Sequence, residues 1–258
     1  MRVNFHTHTK RCLHAYGSEE DYVKAALDAN VGRLGFSDHA PFPDRDFGYR
    51  MSFEELDDHL GTIDSLKDRY NGQIQLYKGL EIEYHDAYID YYRSLFEDHG
   101  IEYLALAEHQ YFDKNNELKN IFFASSTEDY LEYAENLCKG MRTGLFAFAA
   151  HPDLMFLNDL PVDGNAQEAC RMITECAREN DIILEYNANG YRRARRPYPD
   201  GVRYPYPHRY FWEAVSRTDI RVIVGSDCHS PEQVFDYNVQ FALREAEGLG
   251  LKLVDTIF

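Results

Sequence analysis

Seven short apolar runs divide this 258-residue chain, at residues 3–5, 34–36, 74–82, 103–107, 145–150, 182–186 and 220–224. Most are flanked by polar or turn residues, the pattern of strands buried on both faces. Amphipathic segments lie between them, several with a recognisable start. Ser18 can cap a helix reaching about Asn30, with Glu19, Glu20 and Asp21 in its positive first turn. Ser52 and Glu55 have capping-box spacing, Thr127 and Glu128 open a helix toward Gly140, and Ser230, Pro231 and Gln233 mark a further start. This alternation predicts an α/β fold closed into a barrel. No glycine-rich nucleotide fingerprint follows the first run, which disfavours an open doubly wound sheet. With no repeat, low-complexity tract or linker, residues 1–258 are expected to form one domain.

Composition narrows the function classes. The formal charge is −17, which disfavours binding of long nucleic acid but leaves room for a small basic pocket. Hydrophobic residues at 44% and aromatics at 14% argue against disorder. No apolar run approaches the roughly 20 residues of a membrane span, and the N-terminus lacks a signal-peptide core. Five cysteines without framework spacing read as free thiols of a cytoplasmic protein. Oligomeric state has no signature here.

The histidines follow the apolar runs. His6 and His8 end the first, so a period of two points both rings to one side. His14 comes in the next loop, and His39 ends the second run. Glu81 lies in the third run, His109 follows the fourth, His151 the fifth, and Asp227 and His229 the seventh. In a β/α barrel these positions share one rim, where active sites are built. One such histidine alone is more often a hydrogen-bonded structural residue. His59, His85, His99 and His208 take that reading, the first three on predicted surface helices. Nine ligand-type residues at six strand ends point instead to metal. Imidazole with carboxylate suits zinc, manganese or iron, and nine donors exceed one tetrahedral site, giving two or three divalent ions. Cys12 and Cys228 read as small buried residues rather than ligands.

His6-Thr7-His8, His14, Ser37-Asp38-His39, Glu81, His109, His151 and Asp227-Cys228-His229 together resemble the motifs of the PHP (polymerase and histidinol phosphatase) superfamily. The resemblance implies a distorted seven-stranded (β/α)7 TIM-like barrel with a three-metal cluster. By it, His6, His8, Glu81 and Asp227 hold one metal, and Glu81 bridges to a second completed by His109 and His151. His14, His39 and His229 hold the third. Glu108, before His109, and Cys228 depart locally from the family's pattern without removing a ligand.

Four arginines fall within five positions after the sixth run: Arg192, Arg193, Arg195 and Arg196. Guanidinium forks match phosphate oxygens, although some of these are expected to be solvated or paired with nearby acids. The stretch from Glu185 to Arg192 resembles the histidinol-phosphatase branch, making Arg192 the first expected phosphate clamp, with Arg193 and Arg196 behind it. Glu185 could instead pair with an arginine. Asp44, Asp46 and Tyr49, in an insertion at residues 44–70, could meet a cationic leaving group. The implied activity is metal-dependent hydrolysis of a small phosphate monoester, L-histidinol phosphate, with Glu81, His151 and Asp227 catalytic. Nucleotide phosphates or short oligonucleotides as substrates, or a non-catalytic metal-binding barrel, are the alternatives.

Overall fold

The computed structural model describes residues 1–258. Eight strands form one curled sheet: β1 (Arg2–Asn4), β2 (Val31–Phe36), β3 (Gln75–Ile82), β4 (Tyr103–Leu106), β5 (Phe148–Ala149), β6 (Ile183–Asn187), β7 (Arg221–Gly225) and β8 (Lys252–Leu253). They lie side by side in chain order, and every neighbouring pair is parallel. One helix bridges each successive pair: α1 (Glu19–Asp28), α2 (Leu56–Arg69), α3 (Ile89–Glu97), α4 (Glu128–Arg142), α5 (Gly164–Glu179), α6 (Arg209–Val215) and α7 (Tyr237–Gly248).

The expected seven strands are thus joined by an eighth. Lys252 and Leu253 pair with Arg221 and Val222 at the start of β7. Lys252 breaks the apolar pattern there, so the sequence shows no apolar run at this strand. At the opposite end, past the strands, Thr7 forms a parallel bridge with Cys228, and the His8 amide donates to the Cys228 carbonyl at 3.0 Å. That bridge brings the extensions of β1 and β7 together at the rim where the histidines sit.

Packing follows the period-two alternation of the strands. Leu104 and Leu106 of β4 face the helices in a cluster of 59 buried residues. Tyr103, Ala105 and Ala107 face inward with Phe5, Phe148, Ile183 and Ile223 in a second cluster of 9. Tyr103 fills much of this inner space, and its hydroxyl lies 2.8 Å from the Phe5 carbonyl and 3.0 Å from that of Phe36. Gly35 and Gly79 make room for it: a Cβ on either would come within 2.3 Å or 2.2 Å of the tyrosine.

The helix starts are mostly where expected. Ser18 closes a full capping box with Asp21, and Ser52 closes one with Glu55. Ser230 differs. Residues Pro231–Gln233 make only a short 3-10 turn, and α7 begins later, capped by Asp236 accepting from the Val239 amide at 2.9 Å. No helix is long and apolar enough to cross a membrane, and all five cysteines are buried and unpaired.

Candidate metal centre

Backbone pairing sets the rim. The Asn4 side chain accepts the amides of His6 at 3.2 Å and Ser226 at 3.1 Å, locking the end of β1 to that of β7. His39 bridges to Glu81, so the second and third strands stay paired beyond β2. Two rim residues sit in the left-handed region that side chains rarely adopt, His151 at φ +29° and Asp227 at φ +48°. Such strain persists only where surrounding contacts hold it, and it is concentrated at functional positions.

Glu81 lies at the centre, buried, with five imidazoles around its carboxylate. The Nε2 atoms of His6, His8, His109 and His151 lie 3.2, 3.3, 3.7 and 2.9 Å away, and Nδ1 of His39 lies 2.9 Å away. Asp227 Oδ1 is 3.3 Å from His8 Nε2 and 3.6 Å from His229 Nδ1. His14 and His229 meet at their Nε2 atoms, 2.9 Å apart. All nine residues singled out from the sequence therefore gather here. Each belongs to at least one three-residue group whose donor atoms lie within 4.8 Å of one another. Cys12 enters one such group, with His8 and His229.

The donor chemistry fits divalent metal ions. Two pairs of imidazoles aim Nε2 at Nε2, His6 with His8 at 3.1 Å and His14 with His229, so at most one proton serves each pair. Glu81 Oε2, which faces these rings, makes no well-aligned hydrogen bond even with His39 Nδ1 2.9 Å away, a costly condition for a buried carboxylate oxygen with no ion to satisfy it. Outer contacts aim the rings. His6 Nδ1 meets Glu185 at 2.7 Å, His14 Nδ1 the Cys12 carbonyl at 2.7 Å, and His109 Nδ1 meets Glu83 at 3.2 Å, leaving each Nε2 for the centre.

Electrostatics divide the rings into two sets. Burial pushes His39 down to about 4 and also lowers His8 and His14, keeping these rings neutral as ligands must be. Burial alone would raise Glu81 and Asp227, but His6 and the other rings outweigh it and hold both well below the carboxylate range. Burial would lower His6 and His109. Glu185 and Glu81 reverse this for the first, Glu81 and Glu83 for the second, so both are raised.

The arginines separate sharply. Arg192 is tied down by Asp236 at 2.9 Å, the Ser226 carbonyl at 2.5 Å and the Gln233 carbonyl at 3.1 Å. Most of its donors are spent on the protein, although it also lines the cavity beside the cluster. Arg193 is exposed, makes no ion pair and lines the same cavity of about 830 Å³ as the nine-residue cluster's His14, His39 and Asp227. Arg196 reaches Tyr198 and the Leu157 carbonyl instead of the cavity. Of Asp44, Asp46 and Tyr49 only Tyr49 lines the cavity, beside Phe47, Gly48 and Arg50; Asp44 accepts from Tyr88 and Asp46 from the Gly48 amide.

Other sequence expectations shift. His59 is fully buried rather than on the surface, 3.0 Å from Glu19. His85 is half-buried and precedes α3, and His99 lies just beyond that helix. His208 caps α6 through the Tyr210 amide, a structural role. Glu185 pairs with His6, not with an arginine. Glu83, Arg50, Asn187 and Asn189 also surround the centre without having been singled out. The last two donate to Asp227 Oδ2 at 3.2 and 3.1 Å. No local pattern marks them, because each partner comes from a different strand.

A curled parallel α/β sheet carrying buried imidazole and carboxylate donors at its C-terminal rim has the form of a metal-binding α/β barrel. The model of the PHP domain matches residues 4–189, and the chain belongs to that family. It is 27% identical over 262 residues to a protein of Deinococcus radiodurans named "Probable histidinol-phosphatase", covering 96% of this chain and 94% of that one. The histidinol-phosphatase of Bacillus subtilis is 23% identical, with 89% and 94% covered. In fold, the chain is similar to the crystal structure of histidinol phosphate phosphatase from Lactococcus lactis complexed with zinc, L-histidinol and phosphate. That likeness has a TM-score of 0.71 at 13% identity and covers 98% of this chain and 95% of the other.

Proposed function

We propose that the chain is a metal-dependent phosphomonoesterase that hydrolyses L-histidinol phosphate to L-histidinol and phosphate. The observation that carries this is the ring of five histidines around Glu81, in a chain whose relatives bear the name histidinol-phosphatase. Residues 1–258 act as one domain, a distorted barrel of seven principal strands with β8 at its far end.

Two or three divalent ions would be held by His6, His8, His14, His39, Glu81, His109, His151, Asp227 and His229. Zinc, manganese and iron all suit these nitrogen and oxygen donors. Such ions supply a hydroxide nucleophile near neutral pH and neutralise charge on the phosphoryl oxygens.

The chain's own residues do the rest. Glu81, central among the imidazoles, would supply carboxylate oxygens to the ions, and Asp227, steadied by Asn187 and Asn189, presents its other oxygen to the centre. His151 directs Nε2 to Glu81 while its amide is fixed by Glu185 at 3.0 Å. Arg193, free of ion pairs at the cavity wall, grips the phosphate. Phe47, Tyr49, Phe122, Phe123, Leu154 and Leu157 give the mouth an apolar wall suited to the leaving group's ring.

A substrate panel tests the reading. Phosphate release from L-histidinol phosphate is expected to exceed, in kcat/KM, release from a nucleoside bisphosphate and from an aryl phosphate. Preference for the nucleotide would overturn the substrate and leave the metal chemistry standing.

A further inference from the structure

Of the imidazoles that turn Nε2 inward, most are aimed by parts of the rim itself. His14 leans on the Cys12 carbonyl and His229 on the Asp227 carbonyl. His6 leans on Glu185, which is held by the His151 amide and Asn187. His109 is different. Its Nδ1 meets Glu83, one residue beyond β3, and Glu83 is in turn gripped by an arginine from the cavity mouth.

That arginine is Arg50. Its Nη1 and Nη2 donate to the two Glu83 oxygens at 3.2 Å each, with only 7% of Arg50 and 5% of Glu83 exposed. The remaining donors hold the mouth segment: Nη1 to the Ala40 carbonyl at 2.9 Å and Nε to the Gly48 carbonyl at 3.2 Å. The guanidinium also lies over the Phe42 and Phe47 rings, at 5.6 and 5.3 Å. Just before it, Gly48 and Tyr49 both have positive φ, +76° and +52°, and Tyr49 is 71% exposed on the cavity wall. One buried ion pair thus fastens the mouth segment to a histidine of the metal centre.

We infer that Glu83 and Arg50 are positioning residues that couple the substrate-facing mouth at residues 47–49 to His109. Glu83 fixes the His109 ring so that Nε2 faces the centre. Arg50 fixes Glu83 and, through Gly48, the backbone that presents Tyr49. A disturbance at the mouth is therefore felt at a metal ligand, and loss of that ligand's support loosens the mouth. The inference rests on the proposed metal-dependent reading of the site, and it extends that reading to two cavity-lining residues outside the nine-donor set.

The test uses Glu83→Gln, Arg50→Met and the double variant of the full chain. Zinc affinity is measured by competition with a chelator, independently of turnover, and kcat and KM are measured for L-histidinol phosphate. Glu83→Gln is expected to weaken the most labile zinc by about 10–100-fold, the usual cost of losing an outer partner of a ligand histidine. Arg50→Met is expected to weaken that zinc as well as raise KM. The double variant is expected to fall no further in zinc affinity than the worse single one, because both act through one ring. Should Arg50→Met not fold, Arg50→Lys takes its place, keeping the charge without the fork. Unchanged zinc affinity in Glu83→Gln would overturn the inference. So would a raised KM with wild-type zinc affinity in the Arg50 variant, which would make Arg50 a mouth residue alone. If wild-type protein binds zinc but releases no phosphate, the proposed reaction fails while the coupling is still read from zinc affinity.

Discussion

Glu185 receives His6 Nδ1 at 2.7 Å, with both side chains fully buried. The glutamate reaches this position because β7 carries Gly225 beside it; a Cβ there would lie 1.7 Å from Glu185 Oε1. The carboxylate orients the ring and raises its basicity as a ligand. Glu185→Gln is expected to lower metal affinity by about 10–100-fold, with a parallel loss of kcat. Metal analysis after dialysis checks this, and a variant that keeps its full metal content would show that the orientation comes from elsewhere.

Neighbouring arginines should behave oppositely. Arg193→Ala is expected to raise KM for the phosphate ester with little change in thermal stability. Arg192→Ala strips partners from Asp236 and the Ser226 carbonyl, at a cost of about 2 kcal/mol, typical of partly buried hydrogen bonds to charged groups. Steady-state kinetics and thermal melts on the two variants separate the roles. Equal KM increases without destabilisation of Arg192→Ala would reverse them.

Acid stability has a traceable contributor at Glu19. Burial acts to raise its pKa, but hydrogen bonds from His59 and Arg11 outweigh it and bring the carboxyl down to about 2. A depressed acid stabilises the fold while ionised. The contribution is therefore fully present above an unfolded-state pKa of about 4.3 and lost as pH falls toward about 2. Glu19→Gln is expected to flatten the stability profile across that window. Denaturant titrations from pH 2 to 6 check it, and an unaltered acid slope would assign the effect to other groups.

Gly79 is predicted to tolerate no side chain. A Cβ would fall 2.2 Å from the Tyr103 ring, which packs on every side and cannot retreat. Gly79→Ala is expected to cost about 1–3 kcal/mol through overpacking, measured by urea denaturation. A wild-type midpoint would mean that Tyr103 has room to shift.

What could be read from the sequence follows from physical range. The nine donors were legible because a strand end fixes both position and direction, so His6 and His8 share a side from spacing alone. The arginine loop was legible as a group but not residue by residue. Arg192 and Arg193 are adjacent and both line the cavity, and only the fold places Asp236 beside the first and leaves the second without an ion pair. Glu83, Glu185 and Arg50 owe their roles to partners on other strands or loops. His59 looked like a helix-surface residue because Glu19, which receives its ring, lies 40 positions away. The eighth strand is hidden because Lys252, a charged residue, interrupts the apolar pattern at 251–254.

Removal and return of metal tests the central claim most directly. The protein is chelated to completion, reloaded separately with manganese, zinc and iron, and assayed for phosphate release from L-histidinol phosphate with metal content measured alongside. The account predicts no turnover without metal and restored turnover at two or three ions per chain. Undiminished turnover by the metal-free protein, or a fully loaded protein that releases no phosphate, would contradict it.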